Sequence, residues 1–157
     1  MGPGDNATAA DLKNARELGQ LIAHQGWVLL TGGRNVGVMD AASAGAKAAN
    51  GLTIGILPDD DAISTAVDIA IITDMGNARN NINVLSSNVV IACGMGAGTA
   101  SEIALALKGN KKVILLNQDA VESQRFFKSL SPNNVYAVDS PDAAIAIARE
   151  IIGDGST

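Results

Sequence analysis

Six short apolar runs, set apart by helical stretches and by glycine or proline breaks, constrain this chain more than any other feature. They are "WVLLT" (27–31), "LTIGIL" (52–57), "DIAIIT" (68–73), "NVVIAC" (88–93), "KVILLN" (112–117) and "NVYAVD" (134–139). Their length suits strands, and the lack of a polar alternate face suits strands buried on both sides, the pattern of a parallel sheet. Thr8 and Asp11 make a capping-box start for a first helix, whose Leu12, Ala15, Leu18 and Ile22 share one face until Gly26 stops it. An Ala-rich helix is expected from the Gly32–Gly37 loop to about Asn50, and others near 77–87, 98–108, 120–130 and 141–152, the last opened by Ser140-Pro141. Over 157 residues this alternation predicts one α/β domain: a doubly wound, Rossmann-like, mostly parallel sheet with helices on both faces.

Composition removes several function classes. Aromatic residues are 3% of the chain, too few for the stacking platforms of single-strand binders, and the net charge of −5 argues against nucleic acid or anionic membrane as a partner. One cysteine, Cys93, excludes an internal disulfide and reads as a small buried hydrophobe; one histidine, His24, reads as a partner of its helix C-terminus. Neither supports a zinc site, and a reducing, cytoplasmic compartment is expected. Asp59-Asp60-Asp61 reads as a solvated loop.

The opening "MGPGDN" resembles the turn that follows a first strand, although no strand precedes it in the sequence. Such a strand is central in a doubly wound sheet, so the expectation is a further strand ahead of Met1; the competing expectation is a fold that begins at this turn.

Ligands of open α/β sheets sit at the carboxyl ends of the strands. Three glycine-rich loops fall there: "GPGDN" with Gly4, Asp5 and Asn6; "TGGRNVGV" with Gly32, Gly33, Arg34, Asn35 and Gly37; and "CGMGAGT" with Gly94, Met95, Gly96, Ala97, Gly98 and Thr99. Glycine lets backbone N–H groups approach a ligand, and a following helix N-terminus adds free donors and partial positive charge. One such loop alone is as easily turn chemistry; three converging ones point to an anion, most naturally a phosphate. No Walker or dinucleotide fingerprint is present. Arg34 and Arg79 supply charge, Asn77 and Asn80 sit where an amide caps a helix or reads a heterocycle, and Glu102, one turn after Thr99, either complements the helix dipole or acts as an acid or base.

The segments "GWVLLTGGRNVGVMDAASAGA" and "GNARNNINVLSSNVVIACGMGAGTASEIALAL" resemble the superfamily that groups Lonely Guy nucleotide phosphoribohydrolases, proteins often labelled lysine decarboxylases, and molybdenum-cofactor carrier proteins. The Lonely Guy pattern is an Arg-Lys pair followed by P-G-G-x-G-T-x-x-E, with the Arg and the final Glu catalytic. Those two fall on Arg79 and Glu102, whereas the Lys position is Asn80, the Pro position is Gly94 and the next is Met95. The resemblance to the smaller, single-domain carriers therefore implies a protein that binds and shields the molybdenum cofactor, a pterin with a terminal phosphate, without catalysis. It implies a homo-oligomer, dimer or tetramer, that exchanges its ligand with molybdenum enzymes or cofactor-synthesis proteins. No lysine has a setting for a pyridoxal phosphate Schiff base. The alternatives implied are a nucleoside 5′-monophosphate phosphoribohydrolase using Arg79 and Glu102, and a nucleotide-sensing module.

Overall fold

A computed structural model describes residues 1–116 and 121–154. In chain order its elements are α1 (Ala9–His24), β1 (Leu29–Thr31), α2 (Gly37–Ala48), β2 (Thr53–Leu57), β3 (Ile69–Ile72), a short 3-10 turn (Gly76–Arg79), α3 (Asn80–Ser86), β4 (Val89–Cys93), α4 (Ala97–Lys108), β5 (Lys112–Leu116), α5 (Val121–Leu130), β6 (Val135–Val138) and α6 (Pro141–Asp154). The α/β alternation expected from the apolar runs is the architecture observed, and among the described residues the six strands pair in parallel, with a single antiparallel bridge, Arg34 to Ile63, outside them. The expected strand end at Asn117 and helix start at Ala120 lie outside the described residues.

The strands form two three-stranded sheets, ordered β1-β2-β3 and β4-β5-β6. Alternation along β5 sets the two cores. Ile114 and Leu116 face a cluster with Ala15 and Leu18 of α1, Val38 and Ala46 of α2, and Ala144, Ile145 and Ala148 of α6. Val113 and Leu115 face the opposite cluster, with Val84 of α3, Ile103 and Ala106 of α4 and Phe127 of α5. Successive strand residues point to opposite faces, which is why an uninterrupted apolar run supplies both layers.

Local chemistry accounts for the element ends. Thr8 and Asp11 form the expected capping box, with the Asp11 N–H donating to the Thr8 hydroxyl at 3.1 Å and the Thr8 N–H donating to the Asp11 carboxylate at 3.0 Å. Ser140 likewise accepts the Ala143 N–H at 3.2 Å at the start of α6.

Three expectations need correction. The first strand begins at Leu29 rather than Trp27, because the Trp27 N–H turns back to the Ile22 carbonyl to close α1 and pairing with β2 starts with the Leu29 N–H on Leu52 O. The helix expected near 77–87 opens as the 3-10 turn and becomes α-helical only from Asn80. And β3, read as a buried strand, is exposed along its whole length, with Ile69, Ile71 and Ile72 all among the exposed large hydrophobics. It is the outer strand of its sheet, and among the described residues both of its faces are left about half exposed.

Candidate functional site

A cavity of about 1000 Å³ opens where the strand-end loops converge. Its walls include Gly4, Asp5 and Asn6 ahead of α1, Gly32 and Arg34 after β1, Asn77, Arg79 and Asn80 from the 3-10 turn and α3, and Met95, Gly96, Ala97, Gly98, Thr99 and Glu102 after β4. All three glycine-rich loops thus meet at one place. The remaining residues singled out from the sequence stand behind the wall. Gly33 packs on Gly55 and Leu57 of β2, Gly37 on the carbonyls of Pro3 and Gly4, and Gly94 on the Asp11 carboxylate. Asn35 is exposed, and its backbone N–H donates to Ala62 O at 2.8 Å. That bond, with Ser64 N–H on Gly33 O at 2.9 Å, fastens the 59–65 loop over the Gly32–Val36 turn. Asp59, Asp60 and Asp61 are exposed there, as their sequence suggested.

The floor is polar and incompletely partnered. Arg79 is only 7% exposed, yet its Nε and Nη1 have no hydrogen-bond partner among the described residues. The same is true of Asn80 Oδ1, Asn83 Oδ1 and Thr99 Oγ1. A buried unmet donor or acceptor costs about 1–3 kcal/mol, so a cluster of them lining one cavity marks groups kept for a ligand. The guanidinium lies directly over Gly32: a methyl there would stand 2.5 Å from Nη1 and 3.0 Å from Nη2. Alpha-helix α4 begins at Ala97 with no side-chain cap, so its first N–H groups are left to a ligand at Gly96–Thr99.

Electrostatics follow from burial. Desolvation lowers the Arg79 pKa, with Glu102 opposing and Arg34 reinforcing that shift. Desolvation raises the Glu102 pKa, against the Met1 ammonium, Arg79 and a hydrogen bond from the Asn83 side chain. Arg79 and Glu102 are thus brought together in space, and each tempers the cost of burying the other. Cys93 is buried behind this group, its thiol donating to Asp11 O at 3.3 Å and its pKa raised to about 11, chiefly by burial.

Asn83 was missed by sequence reasoning. Its signal was spacing: it lies four residues after Arg79 and three after Asn80, the offsets that share one helical face. Met39 was missed as well; it lines the cavity, and its sulfur lies 2.6 Å from where a Gly32 methyl would stand.

These features define a class: an α/β protein whose strand-end glycine loops enclose a cavity with a buried arginine beside a buried glutamate. Residues 1–145 match the SLOG cluster4 family, and the chain belongs to that family. It is also similar to solved structures of two proteins. One is the molybdenum cofactor binding protein of Rippkaea orientalis, 64% identical, with 97% of this chain and 94% of that one covered at a TM-score of 0.94. The other is the Moco carrier protein of Chlamydomonas reinhardtii, 51% identical, covering 98% and 95% at a TM-score of 0.94. A more distant similarity, 35% identity over 101 residues, links it to a cytokinin riboside 5′-monophosphate phosphoribohydrolase of Mycobacterium tuberculosis; the match spans 59% of this chain and 51% of the relative. Among the described residues no helix is long and apolar enough to cross a membrane.

Proposed function

We propose that this chain binds, shields and carries the molybdenum cofactor without acting on it chemically. The observation that carries the reading is the buried Arg79 guanidinium with Nε and Nη1 unpartnered, beside the unpartnered oxygens of Asn80, Asn83 and Thr99. A pterin phosphate fits that set: its phosphate accepts from arginine and from the helix N-terminus, and its ring N–H groups donate to amide and hydroxyl oxygens. The similarity to the Rippkaea and Chlamydomonas proteins supports the same ligand. In this reading Gly4, Asp5, Asn6, Gly32, Arg34, Asn77, Arg79, Asn80, Met95 to Thr99 and Glu102 contact the cofactor, while Gly33, Asn35, Gly37 and Gly94 shape the loops that do. The protein works in the cytoplasm and passes its cargo to molybdenum enzymes or takes it from cofactor-synthesis proteins. It acts as a dimer or tetramer, a view supported by the half-exposed apolar faces of β3.

One observation favours a second reading, a nucleotide phosphoribohydrolase. Glu102, its pKa raised by burial, stands within the field of Arg79, which suits an acid or base beside a glycosidic bond. Against it stand Asn80, Gly94 and Met95 at the positions where that activity is paired with Lys, Pro and Gly. Incubation with AMP separates the two. A carrier releases no adenine with or without Glu102; adenine release that disappears in Glu102→Ala would make the protein a hydrolase.

A further inference from the structure

Two polar side chains of the cavity floor hold each other. Asn83 of α3 is buried, Glu102 of α4 is half-buried, and the Asn83 side chain is hydrogen-bonded to the Glu102 carboxyl. The residues that follow them, Val84 and Ile103, are fully buried in one apolar cluster, which keeps the two helices in fixed register at this point. An amide has a donor end and an acceptor end. Because Asn83 Oδ1 has no partner among the described residues, the bond to Glu102 is donated by Nδ2, and Oδ1 is the end left for the cavity that Asn83 lines. Thr99 lies three residues before Glu102 and Asn80 three before Asn83, offsets that share a helical face, and each adds a buried, unpartnered oxygen. The wall opposite the Arg79 donors therefore consists of acceptors.

We propose that Glu102 is a positioning residue for Asn83: by accepting from Nδ2 it turns Oδ1 toward the ligand, and the site thereby selects a heterocycle with an amino group over one of the same shape with an oxo group. The inference rests on the reading of the ligand as a pterin phosphate and names what sets its selectivity. An amide free to rotate offers a ligand either end and distinguishes donors from acceptors poorly. An amide pinned by a carboxyl offers only its oxygen. An amino group satisfies that oxygen, whereas an oxo group leaves two buried acceptors facing each other, and a site built to hydrogen-bond one group rejects the analogue that lacks it. The 2-amino group of a pterin is such a donor; lumazine, with a 2-oxo group in its place, is the nearest mismatch. Glu102 thus has a task beside the ligand that involves no proton transfer.

The test is fluorescence titration with 6-hydroxymethylpterin phosphate and 6-hydroxymethyllumazine phosphate, which share the phosphate and differ at the C2 edge of the ring. The wild-type chain is expected to bind the pterin at least about tenfold more tightly, and Glu102→Gln, which can donate to Asn83 as well as accept from it, to bring the two affinities within about threefold. The pair Asn83→Asp with Glu102→Gln swaps donor and acceptor: the new amide donates to the new carboxylate, whose other oxygen faces the cavity, so the preference for pterin returns to at least about fivefold. A residue that only supports the fold would not give this return. Equal affinity of the wild-type chain for both probes, a full preference kept by Glu102→Gln, or a folded double variant without the preference would each overturn the inference and leave the phosphate-bearing ligand standing. Failure of the wild-type chain to bind either probe would overturn the pterin reading itself, and the inference with it.

Discussion

Gly32→Ala is the sharpest perturbation of the binding site, because it separates ligand affinity from stability. The new methyl would stand 2.5 Å from Arg79 Nη1, 2.6 Å from Met39 Sδ and 3.0 Å from Arg79 Nη2. All three are the far ends of flexible side chains, and ordinary contact needs about 3.5 Å, so the guanidinium must retreat by roughly 1 Å. Charge-assisted hydrogen bonds contribute about 1.5–3 kcal/mol each, so misplacing one forked contact weakens binding roughly 10- to 150-fold. The fold hardly feels the change, and Tm stays within about 2 °C. Gly33→Ala is the matched control. That residue has φ +74°, and its methyl would meet Leu57 Cγ at 2.9 Å and Gly55 Cα at 3.0 Å. A left-handed alanine costs about 1–2 kcal/mol before any clash, so Tm falls by at least about 4 °C. Calorimetric titration with molybdenum cofactor under anaerobic conditions, alongside thermal melts, reads both quantities. A folded Gly32→Ala protein with unchanged affinity would refute the placement of Arg79 at the ligand.

Three other outcomes follow from the same site. Arg79→Met with Glu102→Gln removes both buried charges together, so Tm is unchanged or rises by a few degrees while ligand binding is lost, whereas Arg79→Met alone leaves Glu102 without its cation and lowers Tm; thermal melts with and without ligand check this. The Glu102 pKa is raised in the fold, so the native state holds its proton to higher pH than the unfolded chain, and stability falls as pH climbs from the ordinary carboxylate range through the folded pKa. Glu102→Gln removes that slope, which denaturant melts across the window would show as a flatter profile and higher stability at neutral pH. Cys93, buried and with its pKa raised to about 11, resists iodoacetamide at pH 8 in the folded protein and reacts at once on denaturation, as mass spectrometry would report.

What the sequence made legible was whatever depends on local chemistry. The capping box at Thr8 and Asp11, the Ser140-Pro141 start of α6 and the strand-helix alternation each need only neighbours within a few residues, and all are present. The convergence of three glycine loops was legible too, since strand ends in this fold class share one side of the sheet. The misses are tertiary. "DIAIIT" has the composition of a buried strand, but burial depends on what covers it, and β3 lies at an outer edge with both faces about half exposed among the described residues. Trp27 and Val28 look like strand residues, yet closing α1 through the bond from Trp27 N–H to Ile22 O takes precedence. Asn83 carries no motif of its own; it matters because α3 points the same face as Arg79 and Asn80 into the cavity, with its Oδ1 left unpartnered.

The measurement that tests the central claim most directly is the survival of the molybdenum cofactor in air when mixed with the protein or with its Arg79→Ala variant. The cofactor decays by oxidation when exposed, and a cavity that encloses it through Arg79 must slow that decay. The account expects a clearly longer half-life with the wild-type chain, saturating as protein is added, and little protection by Arg79→Ala. Equal decay with both proteins, at concentrations where both are folded, would contradict it.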